Sequence, residues 1–588
     1  MEKHSVRVTF KPGSREVWVV SGSSVREALL AAAIPVSMPC GGHGRCGRCL
    51  VFAEGSVSRP TAEELRHVPA GMKGARLACV ARIEGEAEIT IPPSSRVAIS
   101  KIAARGKRRC TYALRPGVAK VYLGGRRVPQ VRALLRKYDL AIDDVAPDGN
   151  TRVTLAVAGR ETVGIEAGNT SREFYGLALD LGTNTVVASL VDLATGRELG
   201  VASATNPQVI HGDDVISRLR FAKTPGGLEL LRLEMLNLVN GLVEEMAQSL
   251  KIDRRRIYLA TAVGNTAMQH IFLGVSPVDL GRAPYRARLV GPVETLASKI
   301  GLNVHPGARV MMPPVVGGFV GGDLVALVIS QGLRGRKRPV VAIDLGTNGE
   351  IVLAAGGRLA ACSTAAGPAF EGERISSGVR AIDGAIEDVK LTRRGLALST
   401  IGGGRPVGLC GSGLLAAVAE LLRWGIIEPG GRLKPRQEVS DPRLAARVVE
   451  GDSGRGFVLS EQPPVSLRQG DIREVQLGKA AISSGIKVLC RVVGIDLDQV
   501  GEVLIAGSFG SALKASSVRA VGIFPGRAGA RIRVIGNSAI EGAKLLLVSE
   551  RARAEAERIA VETEHVELFT RADFKDEFYA SIGFPSPA

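Results

Sequence analysis

The sequence predicts a multidomain chain of α/β and α+β units, and three observations carry that prediction. At 588 residues it is too long for one core, so three or four domains are expected. Four of its eight cysteines fall within the first 80 residues, among short alternating apolar segments. Further on, the turn Asp180-Leu181-Gly182-Thr183-Asn184 recurs as Asp344-Leu345-Gly346-Thr347-Asn348, 164 residues later, each copy between two apolar runs. Two copies of strand, tight turn, strand point to duplicated half-domains closing on one nucleotide.

Residues 1–95 form the first unit. Ser5–Phe10 and Arg15–Val20 alternate as a hairpin around Pro12 and Gly13. Ser24 and Glu27 make a capping box ahead of the apolar run 28–33. A loop bearing Cys40, Cys46 and Cys49 follows, then a strand from Leu50, the stretch Leu77-Ala78-Cys79, and a closing strand from Ala87. Hairpin, helix and returning strands predict a small β-grasp sheet. Residues 96–112 read as a basic linker, since Arg96, Lys101, Arg105, Lys107, Arg108 and Arg109 follow one another without an acid. A solvated tether is the simpler reading, and a docking strip for an acidic partner the other. Residues 113–172 fit a small α/β middle domain, with strands from Val118 and Arg152 and a helix over 130–138.

From 173 to 588 strands alternate with helices, as in α/β architectures. A long amphipathic helix is expected over 228–251, and a buried strand over 256–263 ends at Gly264-Asn265-Thr266. A helix over 324–331 follows Gly321-Gly322-Asp323 just ahead of the second turn. Gly408–Gly413 opens a helix running to Trp424. Val503–Gly510 is a strand feeding a glycine-rich turn, and Gly536-Asn537-Ser538 opens a small-residue helix.

Composition narrows the class. Hydrophobic residues at 45% and a mean hydropathy of +0.15 describe a packed, folded chain. Met1-Glu2-Lys3-His4 has no signal-peptide pattern and no apolar run is long enough to span a bilayer, so a cytoplasmic protein away from membranes is expected. The net charge of +18 raises nucleic-acid binding. The basic residues are thinly spread and no nucleic-acid signature accompanies them, so no nucleic acid is expected. An arginine-rich bias or an acidic protein partner accounts for the charge.

The cysteine spacing, five residues between Cys40 and Cys46, two between Cys46 and Cys49, then Cys79, suits a 2Fe–2S cluster held by four thiolates, two per iron. Gly41, Gly42, Gly44 and Gly47 let backbone amides face the sulfides. Four-cysteine zinc is the rival, but it favours two close cysteine pairs and only one is present. The pattern resembles plant- or adrenodoxin-type ferredoxins. His43 reads as a loop residue, and Cys110, Cys362, Cys410 and Cys490 as buried small side chains.

The two Asp-Leu-Gly-Thr-Asn turns, the Ala506-Gly507-Ser508-Phe509-Gly510 turn and the two small-residue helices resemble, in that order, the actin/sugar-kinase/heat-shock ATPase superfamily. The resemblance implies a duplicated actin-like, ribonuclease-H-like domain. Asp180 and Asp344 would face hydrated Mg2+. Gly182, Thr183, Asn184 and Thr185 would cradle ATP phosphates from one side, and Gly346, Thr347 and Asn348 from the other. Gly507, Ser508 and Gly510 would pack against adenosine. Asp323 falls where relatives place an acid near the attacking water, and Glu350 is a second candidate.

A ferredoxin joined to such an ATPase resembles the reductive activators of corrinoid proteins. Asn206–Arg218, Ala365–Gly372, Gly378–Gly384 and Gly536–Ala539 look like that family too. What it implies is ATP-dependent return of a corrinoid protein's cobalt from Co(II) to Co(I), with the electron passing from a low-potential donor through the cluster. A gap of roughly 0.3 V costs about 7 kcal/mol, which ATP hydrolysis covers. The family also implies homodimerisation. Other readings are an ATP-driven donor to another low-potential metalloenzyme, a redox-sensing nucleotide-binding module, and a small-molecule kinase, which would gain nothing from a ferredoxin.

Overall fold

The structure, a computed structural model, describes residues 5–586 apart from 12–14, 33, 35, 37, 39–43, 45–46, 48, 69–71, 73, 93–94, 96–105, 110, 127–150, 213, 393–394, 452–453, 508–512 and 527–528. Ser5–Lys11 and Arg15–Val20 pair antiparallel as the predicted hairpin. The first of them also lies parallel to Ile83–Thr90, Val8 opposite Ala87. Leu50–Val57 and Ala75–Leu77 complete a five-stranded sheet. Helix Val25–Ala31 starts at its capping box, Ser24 N donating to Glu27 at 2.6 Å, and buries Val25, Ala28 and Leu29 in a core shared with Val8, Phe10 and Ile89. This is the β-grasp unit.

Val118–Arg126, Thr151–Ala158 and Glu161–Ala167 form a three-stranded antiparallel sheet. The helix expected over 130–138 lies outside the described residues. Glu161–Ala167 was not legible as a strand. The sheet is keyed to the next unit by Glu166, which accepts from Lys120 Nζ at 2.7 Å and Tyr258 Oη at 2.6 Å.

Two six-stranded sheets follow. The first runs in the order Glu198–Thr205, Thr185–Asp192, Tyr175–Leu181, Ile257–Val263, Arg309–Met312, Val293–Leu296. The second runs Arg531–Gly536, Glu502–Gly507, Val340–Leu345, Gly349–Ala355, Arg358–Thr364, Thr563–His565. In each, the predicted hairpin adds a third antiparallel strand on one side and a parallel strand on the other. The duplicated, actin-like architecture is therefore present. Helices Gly322–Gln331 and Ser538–Val548, buried nearly all round, cross between the sheets in one apolar cluster. They touch at backbone distance: a Cβ on Gly542 would lie 2.2 Å from Ala326 O. Helix Gly227–Leu250 matches its expected span. The sheets formed from 385–409 and 448–468, and helix Gln469–Val493, were not anticipated.

The described end of the linker differs from a solvated tether. Lys107 N donates to Ile535 O at 2.7 Å, Arg109 N to Ser330 O at 2.8 Å and Gly106 N to Glu541 at 3.2 Å. Arg109 also forks onto Glu502 at 2.5 and 2.9 Å. The ferredoxin unit reaches the first lobe through Arg26, 3.4 Å from both Ile210 O and His211 Nδ1. Among the described residues no helix is long and apolar enough to cross a membrane.

Candidate functional site

Both repeated turns open into one cleft between the lobes. Its walls include Asp180, Gly182, Thr183, Asn184 and Thr185 from the first turn, and Asp344, Gly346, Thr347 and Asn348 from the second. Asp323, Glu350 and Gly507 also line it. The reason is local. Each Asp ends an apolar central strand, so its carboxylate projects where the sheet stops, and each turn follows at once. Gly182 is required because a Cβ there would lie 2.3 Å from Thr185 O. Gly507, at φ +120°, brings the parallel strand so close that a Cβ would meet Leu345 O at 2.4 Å. Ser508 and Gly510 lie outside the described residues.

Three further side chains enter the cleft that residue-by-residue reading did not single out. Asn265 caps helix Thr266–Leu273 and donates to Thr183 Oγ1 at 3.0 Å. Asn537 caps helix Ser538–Val548 and donates to Asp180 at 2.7 Å. Glu371 accepts from Asn184 at 2.6 Å and Thr347 at 2.5 Å. An Asn at a strand-to-helix junction is a cap signal that could have found the first two.

Five carboxyl groups in one recess make the electrostatics severe. Burial, then the charges of Asp323, Asp180 and Glu371, pushes Asp344 up to about 8. Burial pushes Asp180 up to about 6 against the lowering hydrogen bond from Asn537. Asp323, Glu350 and Glu371 are raised as well, burial first in each. Buried carboxylates this close cannot all ionise without a compensating cation. Among the described residues no three acids converge tightly enough to ligate one ion directly. A cation such a donor set could take is one that keeps several waters and is held by one or two carboxylates plus phosphate oxygens, as Mg2+ is. Asn184 Oδ1, buried without a partner, is a polar atom left for a ligand.

At the other site Cys49 and Cys79 bring their Sγ atoms within 3.3 Å, well beyond a disulfide bond. Two thiolates on one tetrahedral metal lie roughly 3.8 Å apart for 2.3 Å bonds, so the pair fits one iron of a cluster. Gly44 and Gly47 beside them take φ +71° and +67°, and a Cβ on Gly47 would meet His67 O at 2.7 Å. Cys40, Cys46 and His43 lie outside the described residues, as does Cys110. Cys362, Cys410 and Cys490 are buried, as expected.

Comparison with known proteins adds a third line. The family profile described as "2Fe-2S iron-sulfur cluster binding domain" matches residues 8–84. "RACo middle region" matches 175–336, the first lobe, and "C-terminal domain of RACo the ASKHA domain" matches 338–587. The three-stranded sheet of 118–167 falls between these matches. The chain is 30% identical to the corrinoid activation enzyme RamQ of Eubacterium limosum, over 98% of this chain and 99% of that one. It is 25% identical to the [Co(II) methylated amine-specific corrinoid protein] reductase of Methanosarcina barkeri, over 70% and 77%. The solved structure of a reductive activator for corrinoid, iron-sulfur protein superposes with a TM-score of 0.72 at 31% identity, covering 99% of both chains.

Proposed function

The chain belongs to the family of reductive activators of corrinoid proteins, and we propose on that premise that it returns the cobalt of a partner corrinoid protein from Co(II) to Co(I) at the expense of ATP. The observation that carries this reading is the union, in one chain, of a thiolate pair set for an iron–sulfur cluster with a two-lobed, carboxylate-lined phosphate cleft. When bound by Cys40, Cys46, Cys49 and Cys79, a 2Fe–2S cluster supplies one electron at a time, reloaded by a low-potential donor in the cytoplasm.

The residues of the cleft do the rest. Asp180 and Asp344 would hold hydrated Mg2+, whose charge would favour the ionised carboxylates, most of all that of Asp344, which burial raises to about 8. Thr183, Asn184 and Thr185 hold the phosphates from the first lobe and Gly346, Thr347 and Asn348 from the second, so occupancy draws the lobes together. Asp323, at the mouth of its helix and raised by burial, orients the attacking water. Hydrolysis then resets the lobes and changes how the partner is held.

The test is anaerobic. Purified protein, a low-potential reductant, a Co(II) corrinoid protein and MgATP are mixed, and the visible spectrum is followed for Co(I). Formation as fast and complete without ATP as with it would sink the coupling.

A further inference from the structure

Glu371 is where the two phosphate turns meet. Asn184 Nδ2, from the first lobe, donates to Glu371 Oε2 at 2.6 Å, and Thr347 Oγ1, from the second, donates to the same oxygen at 2.5 Å. Asn184 Nδ2 also donates to Thr347 Oγ1 at 2.9 Å. One carboxylate oxygen thus collects a donor from each half of the duplicated domain. The short turn that carries it is fixed at both ends. Gly367, at φ +78°, donates its N–H to Thr347 O at 3.0 Å. Gly372, at φ +79°, sits where a Cβ would meet Val379 O at 2.2 Å. Glu371 is therefore aimed into the cleft by backbone that has little freedom to point it elsewhere. Farther along the same segment, Arg380 Nη1 donates to Thr205 Oγ1 at 3.0 Å, a second bond from this segment to the first lobe.

We infer that Glu371 is an internal anion that competes with the nucleotide for these phosphate donors, so that it sets nucleotide affinity. The inference deepens, and rests on, the reading of this cleft as an ATP site. Its chemistry is simple. Burial raises the Glu371 carboxyl, but the bonds from Thr347 and Asn184 and the nearby charge of Arg380 favour its ionised form. A carboxylate oxygen and a phosphoryl oxygen are both anionic acceptors, and both favour the short, charge-assisted bonds seen here. Asn184 and Thr347 cannot serve both at once. Two anions in one recess also repel one another, with little solvent between them to screen the repulsion. A ligand to the metal would behave in the opposite way, because removing its charge would weaken binding of the metal–nucleotide complex.

Isothermal titration of the full-length protein with MgATP separates these cases. Glu371→Gln keeps the shape and one acceptor but removes the charge. It is expected to bind MgATP about tenfold more tightly than the unaltered chain. Weaker binding would make Glu371 a metal ligand, and unchanged binding would make it only a structural tie; either result overturns the inference. Should the Gln variant fold poorly, Glu371→Asp reads the same effect, because it keeps the charge but withdraws it by one methylene from Asn184 and Thr347. Its affinity must also rise, and an equal or lower affinity overturns the inference. An unaltered chain that binds no nucleotide at all would instead sink the ATP reading itself.

Discussion

Asp344 sits at the centre of the cleft's electrostatics, and its proton has a stability consequence. Its carboxyl is raised from 3.8 to about 8 and that of Asp180 to about 6, so the folded chain binds both protons more tightly than the unfolded chain does. Stability contributed by these groups is full below about pH 4 and is lost as pH rises through 6 and then 8. In its proposed role, Mg2+ would pair with the ionised forms and oppose that loss. The metal-free protein should therefore melt lower at pH 8 than at pH 6, and Mg2+ should raise the melting temperature more at pH 8. Asp344→Asn should flatten both trends, and a melting temperature indifferent to Mg2+ at either pH would refute the cation's role. At the other site, Cys79→Ser should remove the visible absorption of the cluster while leaving calorimetric MgATP affinity within about twofold, since the two sites share no ligand. Asp180, Thr183, Asn184 and their second-lobe counterparts were legible because the repeat displays them twice. Glu371 was not, because its role depends on the first and second turns lying face to face. Asn537 meets Asp180 across 357 positions of sequence, and no local pattern encodes that distance.

Among the elements, the helices that begin at Asn265 and Asn537 each use one side chain twice, as a cap and as a site residue. Asn537→Ala should cost about 1 kcal/mol in urea unfolding for the lost cap. It should also weaken MgATP binding several-fold, because the hydrogen bond that lowers Asp180 is gone. The crossing of helices Gly322–Gln331 and Ser538–Val548 is less forgiving. Gly542→Val should cost roughly 3 kcal/mol or more by the same measurement, since even a Cβ would sit 2.5 Å from Ala326 Cα. The hairpins, the Ser24 capping box and helix Gly227–Leu250 were readable from alternation, cap residues and helical period. Helix Gln469–Val493 escaped notice because Gly470, Gly478 and Gly485 interrupt it, and glycine reads as a breaker. Two of these are demanded by packing: a Cβ at Gly478 would lie 2.8 Å from Ala366 O, and at Gly485 2.8 Å from Ile351 Cδ1. A requirement set by neighbours in space is not written locally.

For the whole molecule, the order of cysteine loop, two phosphate turns and glycine-rich strand end was enough to read both machines and their pairing. How they are joined was not, because Lys107 and Arg109 bond to backbone carbonyls of Ile535 and Ser330, groups every residue carries. The ferredoxin's contact through Arg26 is slight, and it should be breakable. Arg26→Met removes both 3.4 Å contacts to Ile210 O and His211 Nδ1. Small-angle scattering should then show a larger radius of gyration, with ATP turnover in the absence of partner unchanged. An unaltered scattering profile would mean that other contacts hold the unit. The stitch at Gly106–Arg109 bounds what such a release can do. Between Ser95 and Gly106 the chain can span at most roughly 40 Å. That span together with the width of the ferredoxin unit sets the reach of the cluster, whose local concentration within it is on the order of millimolar. A corrinoid protein docked inside it meets its electron donor in a first-order step, independent of how much activator the cell contains. One docked outside it must draw its electron from a second molecule of activator, in a step whose rate does depend on concentration.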